Sequence, residues 1–507
     1  MRGSIRSYQT RPELTEEQSA FLDAYATLYG RVERGLFAGI QAGVDINTLK
    51  RGFQKRFDIT ARQFNAIHAS LNGKIASIKE RRPELIDGMN RRIKKARQVL
   101  KRIVNPEVLH QKRRRLAILE QKLTQLQQDR ATGSVRLCFG SSKLFRSQFH
   151  LKENGYDSHE QWLSNWQAAR NSQFFVLGSK DETAGCQGCV ATVAGDGSIS
   201  LRLRLPNALW GKYTTIPGLW CAHGHDAIVA AIGRNLSNNK SEWQAISYRF
   251  FRDDKGWRVF VSVSLPEVKR ISDRTCGVLA ADINAGHLAV TETDRFGNPI
   301  DFRTIPCNCY GKSYRQSRAI VGEAVKILVA IASGRKKPIV IEKLDFRKKK
   351  AALEKEDRRY ARMLSSFAYR LIHAVIAARA FDAGIEVMEK SAAYSSVIGR
   401  EKFAGRYGIS VHHAAALVIG RRVNGFSERL SSQLQVTLPL PVRNRERHVW
   451  STWAVVLRKA KQRMKRTDGR PSPDPGCHRP KGTAQPVTIP SVAGEIPVCK
   501  SSLQLFE

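Results

Sequence analysis

The segment Gly277-Val-Leu-Ala-Ala-Asp-Ile-Asn-Ala-Gly-His-Leu-Ala-Val290 constrains the fold of this chain more than any other. An apolar run delivers a single carboxylate, Asp282, and small residues then let the backbone turn into a second apolar run. The device recurs at Pro338-Ile-Val-Ile-Glu-Lys-Leu344, which carries Glu342 at the end of its apolar stretch. Short continuous apolar runs read as buried strands, so each acid is expected at the edge of a mixed α/β sheet. Two acids on adjacent buried strands can seat Mg²⁺ or Mn²⁺ against a phosphodiester, with waters completing the coordination. Read singly, either acid is an ordinary strand-end residue. The pair points to nucleic-acid chemistry because the chain around it is intensely basic.

That basicity amounts to a formal charge of +40 and a pI near 10.3, which calls for a polyanionic partner. At 507 residues the chain exceeds one hydrophobic core, so about two to four domains are expected. No apolar run approaches the ~18 residues of a membrane span, and Met1-Arg-Gly-Ser-Ile-Arg-Ser-Tyr8 lacks the apolar core of a secretion signal. The expectation is a cytoplasmic protein with no membrane partner; monomer and dimer stay equally open. The nine cysteines, an odd number, read as reduced thiols. Cys186-Gln-Gly-Cys189 is half of a zinc pattern, but Cys307-Asn-Cys309 has the wrong spacing for the other half, so zinc is not expected.

Along the chain, 13–130 has helical periodicity, with Phe21, Leu22, Tyr25, Leu28, Tyr29, Val32 and Leu36 at three-to-four spacing. Its later part carries Arg91, Arg92, Lys94, Lys95, Arg97, Lys101 and Arg102, then Lys112, Arg113, Arg114 and Arg115, a density that suits phosphate tracking better than a merely solvated face. From about 131 to 270 the pattern turns to strands: Val135–Phe139, Gln173–Leu177, Ser198–Leu205, Ala245–Phe251 and Trp257–Leu265, the last two flanking the hairpin signal Asp253-Asp-Lys-Gly256. A small barrel is expected here, with Arg202 and Arg204 projecting from it, and with the helical block inserted into it or standing beside it. From about 271 the pattern is α/β. A basic helix-like stretch runs from Tyr314 to Ile331, Arg347, Lys348, Lys349 and Lys350 follow the Glu342 strand, a helix is expected over 358–383 and a short strand over 385–388. A final helix begins at His412. The Pro- and Gly-rich region 467–507 is expected to be disordered.

The two acidic segments resemble the RuvC nuclease domain, an RNase H-like fold with a strand-borne Asp, a strand-borne Glu and a third, helix-borne ligand. More closely, residues 1 to about 466 resemble transposon-encoded TnpB proteins and the compact type V CRISPR effectors related to them. Ala281-Asp-Ile-Asn-Ala-Gly-His-Leu-Ala289 matches the first motif and Ile339-Val-Ile-Glu-Lys-Leu-Asp-Phe346 the second. Ala393-Tyr-Ser-Ser-Val397 resembles the stretch that precedes the zinc ribbon of that family, and Tyr8-Gln-Thr-Arg11 and Gly178–Gly185 are similar to TnpB-related segments.

The resemblance implies a multidomain α+β protein. A wedge-like β-barrel would comprise 1–12 and 131–270, a helical recognition lobe 13–130, and an RNase H-like (RuvC) α/β nuclease domain 271–466. It implies an RNA-guided DNA endonuclease: guide RNA, from a CRISPR array or a transposon end, pairs with double-stranded target DNA beside a short flanking motif, and Mg²⁺ or Mn²⁺ supports the cut. The chain departs from the family in two places. The four-cysteine ribbon is replaced by a basic loop, Gly399-Arg-Glu-Lys-Phe-Ala-Gly-Arg-Tyr-Gly408, whose Arg400 is a candidate nucleic-acid contact. The third aspartate is also missing, and alignment of the final helix puts His412 in its position, with His413 the runner-up. Glu386 and Glu389 are fallback acids. An imidazole in place of a carboxylate lowers Mg²⁺ affinity and favours Mn²⁺. Two other readings compete: an RNA-guided DNA-binding protein with weak or no cleavage, and a guide-independent RuvC-like nuclease associated with transposons.

Overall fold

A computed structural model describes residues 5–343, 366–430 and 449–467. The chain divides into two compact units, 1–431 and 432–507. In the second unit the helix Val449–Thr467 is described. The Arg347–Lys350 cluster and nearly all of the tail expected to be disordered lie outside the described residues. No helix among those residues is long and apolar enough to cross a membrane.

The first unit opens with strand β1 (Ile5–Thr10), followed by helices α1 (Glu16–Gln41), α2 (Ile46–Phe57), α3 (Ala61–Leu100) and α4 (Pro106–Ala131). Each helix starts where its sequence supplies a cap. Thr15 with Gln18 and Thr60 with Gln63 close capping boxes on α1 and α3, while Asp45 and Asn105 cap α2 and α4. Helices α3 and α4 run antiparallel as a hairpin, tied by Arg97 to Glu120 at 2.6 Å and by Arg82 to the Asp129 carbonyl at 2.5 Å. Two short helices, α5 (Ser142–Ser147) and α6 (His159–Arg170), lead into the strand region.

There β2 (Gln173–Val176), β6 (Ser247–Asp253) and β7 (Gly256–Ser264) join β1 in a sheet of order β1-β7-β6-β2. Strands β3 (Cys189–Val193), β4 (Ile199–Arg204) and β5 (Tyr213–Leu219) make a separate sheet, and α7 (His225–Leu236) follows it. The region read as a barrel therefore consists, among the described residues, of two distinct ladders. Val135–Phe139, read as a strand, is not one. Val135 is buried while Leu137 and Phe139 pack against the core, so the alternation is satisfied by burial without a ladder. The helical stretch and the strand stretch share one core, in which Leu22, Tyr25 and Phe64 lie with Phe174, Leu201 and Val261. Tyr25 stacks on Phe174 at 4.2 Å between ring centroids.

A second sheet system begins at β8 (Val278–Ile283) and continues through β9 (His287–Thr293), β10 (Pro299–Pro306), β11 (Ile339–Glu342) and β12 (Val387–Lys390), in the order β10-β9-β8-β11-β12. The β10-β9-β8 part is antiparallel; β8-β11-β12 is parallel. Helices α8 (Tyr314–Arg335) and α9 (Ser366–Asp382) cover one face, packing on Leu279, Ala281 and Ile341. Helix α10 (Val411–Arg421) covers the other through Val278, Ala280, Val340, Ala416 and Ile419. Gly277 has φ +94°, and a Cβ there would overlap the Thr293 carbonyl oxygen, so the entry to β8 requires glycine. Arg6 of β1 reaches across to α9, pairing with Asp382 at 2.7 Å and donating to the Ala378 carbonyl at 2.8 Å.

Candidate active site

Strand alternation decides which side of the sheet carries the acids. Val278, Ala280 and Val340 face α10, so Asp282 and Glu342, two residues further along the same strands, face it too. The parallel register sets Ile339 beside Leu279 and Ile341 beside Ala281. One further step brings Glu342 alongside Asp282 near the carboxyl ends of two adjacent parallel strands, the general location of ligand sites in sheets of this type. Both acids are buried, each at 9% relative exposure. Two carboxylates desolvated side by side repel one another, and a cation or hydrogen-bond donors must hold them.

For Asp282 the donors are visible. The Asn284 amide donates to Oδ2 at 3.1 Å, and His412 Nδ1 donates to the same oxygen at 3.3 Å. His412 is in the first turn of α10. That helix starts at Ser410, whose hydroxyl caps the His413 amide, and its Ala414, Ala415 and Ala416 are small enough for close seating on the sheet. The hydrogen bond to Asp282 outweighs partial burial and raises the His412 pKa above its ordinary value, so the charged imidazolium is favoured.

His413, one residue on, is committed elsewhere. Its Nε2 is 3.1 Å from the Arg303 carbonyl and 3.2 Å from Thr304 Oγ1, and its Nδ1 is 3.0 Å from the Ser410 hydroxyl. Both ring nitrogens anchor α10 to β10 and to its own cap. The structure thus brings His412, and not His413, to Asp282.

A residue missed in the sequence also lies here. His287 opens β9 on the α10 face, and its ring is 5.3 Å from that of His412 in an edge-on arrangement. Burial, with the neighbouring His412 next in weight, lowers the His287 pKa, so the two imidazoles lean toward opposite protonation states. Its signal was its place five residues after Asp282, across the Ala285-Gly286 turn.

Glu386, one fallback acid, is held away by Arg274 at 2.6 Å, a hydrogen bond that keeps its carboxyl below the usual range. Glu389, the other, lies 3.7 Å from the His373 ring. Among the described residues no three His, Cys, Asp or Glu side chains sit close enough together to hold an ion unaided. Cys186 and Cys189 are fully buried, and burial pushes the Cys186 thiol up to about 11 and Cys189 well above its ordinary value.

The segment holding the Gly399–Gly408 loop is helical from Ser395 to Tyr407, with a π-helical turn over Gly399–Ala404. Gly399 abuts the α10 backbone at Ala414, where a Cβ would come within 2.7 Å of the carbonyl carbon. Buried Glu428 fastens the loop to α10 through Lys402 and Arg421, both at 2.5 Å. Arg400 on this loop is exposed. On the α3–α4 hairpin and the turn between its helices, Arg92, Lys94, Lys95, Arg97, Lys101, Arg102 and Lys112 to Arg115 are exposed, and Arg91 is half-buried. In the three-stranded sheet Arg202 is exposed and lies 4.8 Å over the Tyr213 ring, and Arg204 is half-buried.

No family model and no curated protein matches the chain. Among solved structures it is similar to T. thermophilus RuvC in complex with a Holliday junction substrate, at 15% identity and TM-score 0.21, over 28% of this chain and 89% of that one. A Cas12i complex with crRNA and double-stranded DNA is similar at 9% identity and TM-score 0.22, over 69% of this chain and 58% of that one. A Cas12i1 R-loop complex before target DNA cleavage is similar at 10% identity and TM-score 0.14, over 87% of this chain and 49% of that one. The chain thus spans about half the length of the Cas12i proteins it matches.

Proposed function

We propose that the chain is an RNA-guided DNA endonuclease whose RuvC-like site is built on Asp282 and Glu342. One observation carries this reading: the β8–β11 register sets two buried carboxylates side by side beneath the first turn of α10, the strand-Asp, strand-Glu and helix order that the family resemblance calls for. The donor chemistry suits Mg²⁺ or Mn²⁺, which bind proteins through one or two carboxylates and leave other positions to water and phosphate oxygens. Asp282 and Glu342 would hold the ion, with Asn284 orienting Asp282. Bound there, it would activate water and neutralise charge on the scissile phosphate. His412 takes the third position of the motif. In the metal-free arrangement it donates a hydrogen bond to Asp282, and the His287 ring beside it would accept or relay a proton.

The exposed cations of the α3–α4 hairpin, with Arg202 and Arg400, would track the backbones of guide RNA and target DNA. The test is to purify the protein with co-expressed RNA, sequence that RNA and incubate the complex with matched DNA and Mg²⁺ or Mn²⁺. Cleavage that depends on the guide match and is lost in Asp282→Ala supports the reading. A second reading, guided binding with little cleavage, is favoured by the occupation of Asp282 by His412 and by the want of a third acid within reach among the described residues.

A further inference from the structure

We propose that the outer face of the β1-β7-β6-β2 sheet binds single-stranded nucleic acid by base stacking, with Phe175 as its central ring. The site lies apart from Asp282 and does not require the nuclease reading.

Alternation defines the face. Phe174, Val176, Tyr248, Phe250, Val259 and Val261 turn into the core, so Phe175, Arg249 and Phe260 point the other way, only partly covered. The register places these three in one row across the sheet: Phe175 is opposite Arg249, and Arg249 is opposite Phe260. The Arg249 guanidinium lies 4.4 Å over the Phe260 ring. An aromatic–guanidinium–aromatic row on a partly covered face is an arrangement that can stack unpaired bases without regard to sequence.

Two cavities flank Phe175, which lines both. One of about 190 Å³ is bounded by Arg62, Gln63, Gln187 and Arg204; the other, of about 280 Å³, by Ser70, Lys74, Gln173 and Arg249. Successive turns of α3 wall both, and Phe175 stands between the two compartments along β2. Phe174 behind it is clamped between Tyr25 and Phe250 at 4.2 and 4.6 Å, which holds this stretch of β2 rigid.

Charge identifies the occupant. No Asp or Glu lines either cavity. Arg62 and Lys74 are ion-paired with Glu182 and Glu33, while Arg204 and Arg249, one at each compartment, have no carboxylate partner among the described residues. Apolar compartments carrying the Gln187 and Gln173 amides for base edges, and a cation at each for phosphate, suit a strand whose bases are splayed to either side of Phe175. A duplex, whose base faces are already stacked on one another, cannot offer them.

The experiment uses the full chain in EDTA, which removes any metal requirement, and a fluorescein-labelled oligouridine read by anisotropy. Phe175→Leu keeps apolar bulk but removes the flat ring, and should weaken binding by about tenfold or more. Arg249→Gln should reduce the salt dependence by about one phosphate contact. A 4-thiouridine oligonucleotide should crosslink to the peptides holding Phe175 or Phe260 in the unsubstituted protein, which answers the question even if a variant folds poorly. Unchanged affinity in a folded Phe175→Leu, crosslinks confined to the α3–α4 hairpin, or equal competition by a duplex would overturn the proposal.

Discussion

His412 Nδ1 lies 3.3 Å from Asp282 Oδ2, so the helix-borne residue of the site hydrogen-bonds the strand-borne acid. A divalent ion at the proposed site would therefore compete with His412 for one carboxylate. His412→Asp removes the competitor and adds a third acid, and should tighten Mg²⁺ binding by about tenfold or more through the added charge. Isothermal titration with Mg²⁺ alone measures this. Equal or weaker affinity in the variant would mean that His412 does not compete with metal at Asp282.

Asn284 orients Asp282 through its 3.1 Å hydrogen bond. Such outer partners are worth about 10- to 100-fold in metal affinity, and Asn284→Ala should lose that much. Mn²⁺ binding followed by electron paramagnetic resonance reads the change directly, with far-UV circular dichroism checking the fold.

Buried Lys337 binds Glu292 at 2.7 Å and the Thr293 carbonyl at 2.8 Å, pinning the end of α8 to β9. Lys337→Ala leaves the Glu292 carboxylate poorly compensated and should cost about 3–5 kcal/mol in urea unfolding, whereas Lys337→Met with Glu292→Leu should recover most of it. A loss below about 1 kcal/mol in the single variant would show that the pair is solvated.

Arg11 grips Asp253 with two hydrogen bonds of 2.7 and 2.8 Å, tying the chain after β1 to the β6–β7 turn. These bonds lower the Asp253 pKa to about 2. Its folded value lies below its unfolded one, so the contribution is present above the ordinary carboxylate range and fades as pH falls from about 4 toward 2. Melting temperature against pH should fall less steeply over that window for Asp253→Asn than for the native chain.

The strands bearing Asp282 and Glu342 were legible because each is a short apolar run ending in an acid, and their adjacency followed from the family resemblance. The side of the sheet they face was not, because it depends on α10 packing over Ala280 and Val340, a contact made by residues far apart in sequence. His287 escaped for a related reason: its place five residues after Asp282 is a signal only once it is known that the turn folds it toward His412. Val135–Phe139 has strand alternation, yet it packs against the core without a partner strand. Phe21, Leu22 and Tyr25 advertised a helix, but periodicity does not name what the stripe covers, and here it covers the sheets that follow.

Guide-dependent cleavage is the most direct test of the central claim. The protein purified with its co-expressed RNA should cut DNA matched to that RNA in Mg²⁺ or Mn²⁺, while Asp282→Ala and Glu342→Ala complexes should still bind the target and leave it intact. Cleavage that persists in both variants, or a preparation that carries no discrete RNA and ignores the match, would contradict the account.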